Sequence, residues 1–320
     1  IILKVTVTDG DGDIAQQSVT VNTVAVPLFN DAPSGGSSAV TTDEGNIPDI
    51  GSGTETSATQ PFGAATDGSF KMELHGADAT VSIGGTELKV ENGKLYYNGV
   101  EVTADAAVSV PGGAHGTLTV TGMDAGGTVH YTYTLTTPVD ATGNASNRPG
   151  EGDAGRGEAV HADAFDVSIT TTGGTATGQI TVDALDDAPV LSTLDTTQTT
   201  VADGEAALTG TLSFTPGADA EGAQVTVEVE GQTFTGTKGE NGWTFTGGSD
   251  GSSFQLNGTA FTYTRPSSNT TDGRNDTIIL KVTVTDGDGD TAEQSVTVNT
   301  VAVPLFNDAP SGGSSVVTTD

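Results

Sequence analysis

Three carboxylates fall within five residues twice in this chain, in the hexapeptide Thr-Asp-Gly-Asp-Gly-Asp. They are Asp9, Asp11 and Asp13 in one copy, and Asp286, Asp288 and Asp290 in the other. Glycine between the acids tolerates backbone angles that Asp resists, so successive carboxylates can converge. Converging oxygens suit calcium, a hard cation that takes about six to eight of them. Without a counterion, like charges this close repel. The same residues also spell a hairpin turn, for which Asp-Gly is a strong signal. The turn is expected on either reading, and the metal is the additional expectation.

Two known calcium patterns do not fit. An EF-hand loop needs Gly at its sixth position and Glu at its twelfth. Counted from Asp9 these are Ile14 and Thr20, and counted from Asp286 they are Thr291 and Thr297. The nonapeptide β-roll needs a series of Gly-Gly-x-Gly-x-Asp, which does not occur. A calcium site here must therefore be assembled from several loops.

The elements that would carry those loops are strands. Apolar residues alternate with polar ones: Leu280, Val282 and Val284; Val225, Val227 and Val229; Tyr131, Tyr133 and Leu135; Phe165, Val167 and Ile169. One apolar face per strand suits two antiparallel sheets packed face to face. Trp243 and Phe245 are expected as core anchors. The chain is thus all-β, with 45 Gly among its 320 residues to make the turns. It lacks Cys, so neither disulfides nor thiolate sites exist. No apolar run reaches the roughly 18 residues of a membrane helix, so no membrane insertion is expected. Its 42 acids against 10 Lys and Arg give a net charge of −32, which excludes nucleic acid and anionic lipid as partners. Such a charge either keeps copies apart or attracts cations. The chain starts without Met on a strand-like stretch, and is taken as a window on a longer protein.

Residues 1–43 return as 278–320, differing at three positions: Ile14 against Thr291, Gln16 against Glu293, and Ala39 against Val316. This is the mark of a tandem array. Asn-Asp-Ala-Pro or Asp-Asp-Ala-Pro punctuates the chain at 30–33, 186–189 and 307–310, where Pro ends strand pairing. The expected organisation is 1–30, the last hairpin of a preceding smaller module; 31–187, a larger sandwich with inserted hairpins; 188–308, a smaller sandwich; and 309–320, the start of the next larger one. Strands of the smaller module are expected near 190–201, 206–214, 223–230, 232–237, 243–247, 253–264, 277–285 and 292–303.

In an immunoglobulin-like sandwich the last hairpin turn lies at the pole where the chain enters, beside the loop between the second and third strands. That placement brings Asp286, Asp288 and Asp290 together with Asp219 and Glu221, and with Asp186 and Asp187 of the incoming linker. In the larger module the corresponding turn, 170–177, reads Thr-Thr-Thr-Gly-Gly-Thr-Ala-Thr and has lost its acids. Unequal junctions are expected: metal-bound and stiff at 186–190, and poorer in metal and more easily bent at 30–34. Asp9, Asp11 and Asp13 should be the same device one repeat earlier.

The run from Val282 to Pro310, with its Asp-rich turn and Asn-Asp-Ala-Pro linker, resembles the last hairpin and linker of VCBS-type or cadherin-like repeats in giant bacterial adhesins exported by type I secretion. The resemblance implies tandem immunoglobulin-like or cadherin-like sandwiches in an extended extracellular array, which folds on binding calcium and projects an adhesive tip. Its implied partners are adjacent repeats of the same chain and, in a fibre or surface layer, other copies.

Catalysis is not expected. The four His (75, 115, 130 and 161) are scattered, there is no thiol nucleophile, and His130 falls on an outward strand face. A carbohydrate- or protein-binding module is the alternative in a different class. Its candidate surface is the hairpin section at 70–103 with the adjacent pair Tyr96 and Tyr97, one of which should face inward, and the loop at 136–163.

Overall fold

The structure is a computed structural model. It describes residues 2–20, 24–30, 36–51, 63–139, 158–202, 207–240, 242–249, 251–265, 277–287 and 289–301. Among these, the regular elements are β-strands and one short 3-10 turn. The chain divides into two compact units, Ile1–Glu44 with Gln60–Val139 and Ala159–Leu185, and Gly45–Thr59 with Asp140–Glu158 and Asp186–Asp320.

The first unit opens with a two-stranded hairpin, β1 (Ile2–Thr8) and β2 (Ile14–Thr20). The larger sandwich follows: β3 (Leu28–Phe29), β4 (Gly36–Asp43), β5 (Ala65–Glu73), β6 (Ala79–Ile83), β7 (Thr86–Glu91), β8 (Lys94–Tyr97), β9 (Val100–Glu101), β10 (Val108–Val110), β11 (Gly116–Met123), β12 (Thr128–Leu135), β13 (Glu158–Thr171) and β14 (Gly174–Leu185). One sheet runs β10-β11-β12-β5-β3 and the other β4-β14-β13-β6-β7-β8-β9. The inward phase of each strand fills the core, where Tyr131, Tyr133, Phe70 and Phe165 are almost fully buried.

The second unit holds β15 (Val190–Thr196), β16 (Thr200–Ala202), β17 (Ala207–Thr215), β18 (Gln224–Val229), β19 (Gln232–Gly239), β20 (Gly242–Gly247), β21 (Ser253–Asn257), β22 (Ala260–Thr264), β23 (Thr277–Thr285) and β24 (Thr291–Val301). Its sheets run β15-β17-β22-β21 and β16-β24-β23-β18-β19-β20. In immunoglobulin lettering these are A-B-E-D and A′-G-F-C-C′-C″. Strand β16 runs parallel to β24, as β4 runs parallel to β14 in the larger sandwich. Both units are therefore immunoglobulin-like sandwiches with one topology, and the larger one is extended at its edges by β9 and β10.

Three local expectations are refined. Leu28–Phe29, placed by the Asn-Asp-Ala-Pro punctuation before a boundary at 30, pairs with β5 and belongs to the larger sandwich. Trp243 and Phe245 are only half-buried and pack at the margin of the smaller core, Trp243 edge-on to Phe214 at 5.2 Å. The centre of that core is Phe234, Phe261 and Tyr263. In β8 the inward residue is Leu95, while Tyr96 is half-buried and Tyr97 exposed. The loop residues 140–157 lie outside the described residues.

Candidate metal centre

The smaller sandwich gathers its acids at one pole. The residues leading into β15, Asp186 and Asp187, are buried at 3% and 1% exposure. The carboxylate of Asp187 is held by two backbone amides. Its Oδ1 accepts from Ala188 at 3.0 Å and its Oδ2 from Ala218 at 2.9 Å. That grip sets the loop between β17 and β18. Gly217 takes a φ of +83°, and a Cβ there would also stand 2.8 Å from Asp187 Oδ2, so glycine is required twice over.

The turn between β23 and β24 closes against this loop. The Gly287 amide donates to the Asp219 carbonyl at 2.7 Å, and a Cβ on Gly287 would overlap the carbonyl oxygen of Glu221. Asp219 is buried, and one of its carboxylate oxygens lies within 4.8 Å of one from Asp186. Asp286 is 4% exposed, and Oδ2 of Asp286 and Oδ2 of half-buried Asp290 are both buried. Glu221 contributes its backbone to the pole, but the residue is exposed. Asp288 lies outside the described residues. Of the seven acids expected at this pole, the structure thus brings Asp186, Asp187, Asp219, Asp286 and Asp290 into or beside a buried cluster.

The first Asp of the hexapeptide is a turn residue in its own right. Asp286 Oδ1 accepts the amides of Gly289 at 3.0 Å and Asp290 at 2.7 Å. In the exposed copy, Asp9 Oδ1 accepts from Asp11 at 3.3 Å and Asp13 at 2.9 Å. A hydrogen bond from the Asp11 side chain and the Asp13 amide hold the Asp9 carboxyl below the usual carboxylate range. Asp124, in a turn without neighbouring acids, does the same: its Oδ1 accepts from Gly126 at 2.9 Å and Thr128 at 2.8 Å. An Asp there closes the hairpin with or without a metal. The chemistry rests on what surrounds it. Around Asp9, Asp11 and Asp13 all three acids are exposed, whereas around Asp286 the acids are buried.

Burying several carboxylates at one point is costly unless hydrogen bonds or an opposite charge compensate. Backbone amides do so for the bonded oxygens of Asp187 and Asp286. The donor set of the pole is oxygen only, which suits calcium or magnesium rather than zinc or copper.

The larger sandwich treats the equivalent turn differently. Between β13 and β14, Gly173 and Gly174 lie against Val24, Ala25 and Val26, and a Cβ on Gly173 would overlap the Ala25 carbonyl oxygen. Phe29 then inserts beneath Gly36 and Gly178, where any Cβ would strike its ring, and stacks on Phe70 at 5.1 Å. Glycine and apolar side chains seat the incoming segment there, where acids gather in the smaller unit. This seat covers 24–30; residues 31–35 lie outside the described residues.

Sequence reasoning missed three buried acids of this unit. Asp43 and Glu44, at the end of β4, have no exposure, and Glu44 Oε1 accepts the Val139 amide. Asp163 accepts the amides of Ala114 at 2.6 Å, His115 at 3.2 Å and Gly116 at 3.1 Å, and the phenol of Tyr133 donates to it. A signal existed for Asp163, which shares the inward phase of Phe165, Val167 and Ile169. A groove of about 560 Å³ at the end of the hairpin section is lined by residues including Lys71, His75, Asn92 and Met123, with no Phe, Tyr or Trp on which a sugar could stack.

No family model matches the chain, and no curated protein matches it. Solved structures similar to it are tandem domains. The titin domains Z1Z2 in complex with telethonin are 11% identical, covering 88% of this chain and 98% of that one, with a TM-score of 0.39. Domains 3–5 of Drosophila OTK are 8% identical, covering 94% and 70%, with a TM-score of 0.22. The protocadherin γB7 EC3-6 cis-dimer is 11% identical, covering 83% and 46%, with a TM-score of 0.25.

Proposed function

We propose that the chain is an extender segment of a large cell-surface adhesin, made of tandem sandwiches whose smaller units are stiffened by calcium. The observation that carries this reading is the burial of Asp186, Asp187, Asp219 and Asp286 at a single pole in a chain of net charge −32. Asp186, Asp219, Asp286 and Asp290 would supply the oxygens, with Asp187 fixing the loop that carries Asp219. Calcium would supply the positive charge that lets these carboxylates stay together.

Extracellular modules bind calcium with dissociation constants of about 10⁻⁴–10⁻³ M. Sites that exist only in the folded state add their binding energy to folding. Such a chain stays loose where calcium is scarce and orders where it is plentiful, which suits an extracellular stalk. The near-identity of 1–43 and 278–320 supports a spacer, since a spacer needs many equivalent copies and a specific tip needs one. No helix among the described residues is long and apolar enough to cross a membrane, and we assign the chain no catalytic role.

Calcium titration of the whole chain tests the proposal, read by Trp243 fluorescence for the smaller unit and by small-angle scattering for extension. Ordering of the smaller unit at millimolar calcium is the expected result. A chain whose unfolding and scattering are the same in calcium and in excess chelator would sink it.

A further inference from the structure

The β1–β2 hairpin carries an apolar face with nothing on it. Leu3, Val5 and Val7 are 58%, 47% and 61% exposed. Their counterparts in the second copy, Leu280, Val282 and Val284, have no exposure and lie in the core of the smaller sandwich. The two hairpins share one register: Ile2 faces Thr20 as Ile279 faces Thr297, and Thr8 faces Ile14 as Thr285 faces Thr291. Within residues 1–20 only two positions differ, and their counterparts Thr291 and Glu293 are both exposed in the docked hairpin. The differences therefore leave the docking face unchanged.

The hairpin is also open along its edge. β23 is flanked by β24 on one side and by β18 on the other, with Gln224 facing Thr285 and Thr226 facing Thr283. β1 pairs with β2 alone. An unpaired edge beside an exposed apolar face is a template for another chain.

We infer that the β1–β2 hairpin is an interaction surface for the smaller sandwich of a second copy of this chain, where it takes the place of β23–β24. Leu3, Val5 and Val7 fill the positions of Leu280, Val282 and Val284, and β1 pairs with β18. The exchanged hairpin also brings Asp9, Asp11 and Asp13 to the pole in place of Asp286, Asp288 and Asp290. The contact is head-to-tail, so it propagates rather than closing on a dimer. In a folded chain the resident hairpin holds the seat through its high effective concentration, so exchange is expected on refolding from a crowded unfolded state. The inference rests on the repeat and its packing, not on calcium or adhesion.

The absence of Cys allows an unambiguous test. A chain carrying Thr6→Cys and Thr226→Cys is unfolded in urea and refolded at high concentration under oxidising conditions, with calcium and with chelator. Thr6 is the counterpart of Thr283, which faces Thr226. A ladder of disulfide-linked chains is expected, roughly tenfold stronger than from the off-register pair Thr8→Cys with Thr226→Cys, because a disulfide does not span Cα atoms more than about 7 Å apart. Adding Val5→Asp and Val7→Asp should abolish it. No ladder, equal ladders from both pairs, or a ladder that survives those two substitutions would overturn the inference. So would a compact monomer linked within one chain, which would mean that the hairpin seats in its own copy.

Discussion

Gly173 lies directly beneath the backbone of Ala25, so close that a Cβ on it would overlap the Ala25 carbonyl oxygen. The β13–β14 turn is therefore the seat of the segment that leads into the larger sandwich, and its lost acids have been replaced by the absence of side chains. Gly173→Ala should lift Val24–Val26 from the turn and cost about 1–3 kcal/mol, as overpacking does. Amide exchange of residues 24–30 should rise in the variant, and should not depend on calcium in the parent chain. If calcium removal alone freed those amides, the seat would not be what holds them.

Calcium removal should act on the smaller sandwich. At a free concentration of a hundred times the dissociation constant, binding to the folded state alone contributes about 2.7 kcal/mol. Excess chelator should lower the unfolding midpoint seen through Trp243, the only Trp in the chain. A midpoint that does not move with chelator would exclude binding of this kind.

Asp219→Asn should change sign with calcium. In chelator it removes one of two carboxylates whose oxygens lie within 4.8 Å, and stability should hold or rise by about 1 kcal/mol. In calcium it removes a ligand, and affinity should fall by about tenfold or more, or at least 1.4 kcal/mol. Isothermal titration and thermal unfolding in both media give the two signs. Asp124→Asn, which changes an equivalent turn with no acids around it, should respond identically with and without calcium.

Tyr133 and Asp163 should govern the alkaline limit of the larger sandwich. Burial, and then the hydrogen bond to Asp163, push the Tyr133 phenol well above its usual range. A group raised in the folded state stabilises below its unfolded pKa, about 10 for Tyr, and that contribution is lost as pH rises further. Thermal unfolding should therefore show the larger unit weakening above about pH 10. Tyr133→Phe should remove that dependence at a cost of about 1–3 kcal/mol near neutrality. Asp163→Ala should cost more, since it strips the acceptor from three amides as well as the phenol.

Much of the architecture was legible because strand burial has a period of two. Val225, Val227 and Val229, and Leu280, Val282 and Val284, announce their inward faces directly, and the strands of the smaller sandwich fall where alternation and Gly turns put them. Placing the acidic pole needed only the order of strands in such a sandwich. Less legible was anything fixed by a partner distant in sequence. Leu28–Phe29 reads as the tail of one module, yet pairs with β5. Asp163 sits in the phase of a core residue, but its acceptor role depends on Tyr133 and on the amides of 114–116. The Gly173 seat has no signature beyond missing side chains.

The two copies of the hairpin divide the matter most sharply. Residues 2–8 and 279–285 are identical, and the sequence alone determines that each becomes a strand, pairs with its successor in one register and closes on an Asp-capped turn. Those interactions are local, between residues a few positions apart. Whether Val5 is 47% exposed or, as Val282, fully buried was decided by tertiary structure, because burial requires a second apolar surface from distant strands. The same holds for the acids: the hexapeptide makes a turn wherever it occurs, and it becomes part of a buried cluster only where Asp186, Asp187 and Asp219 are folded against it.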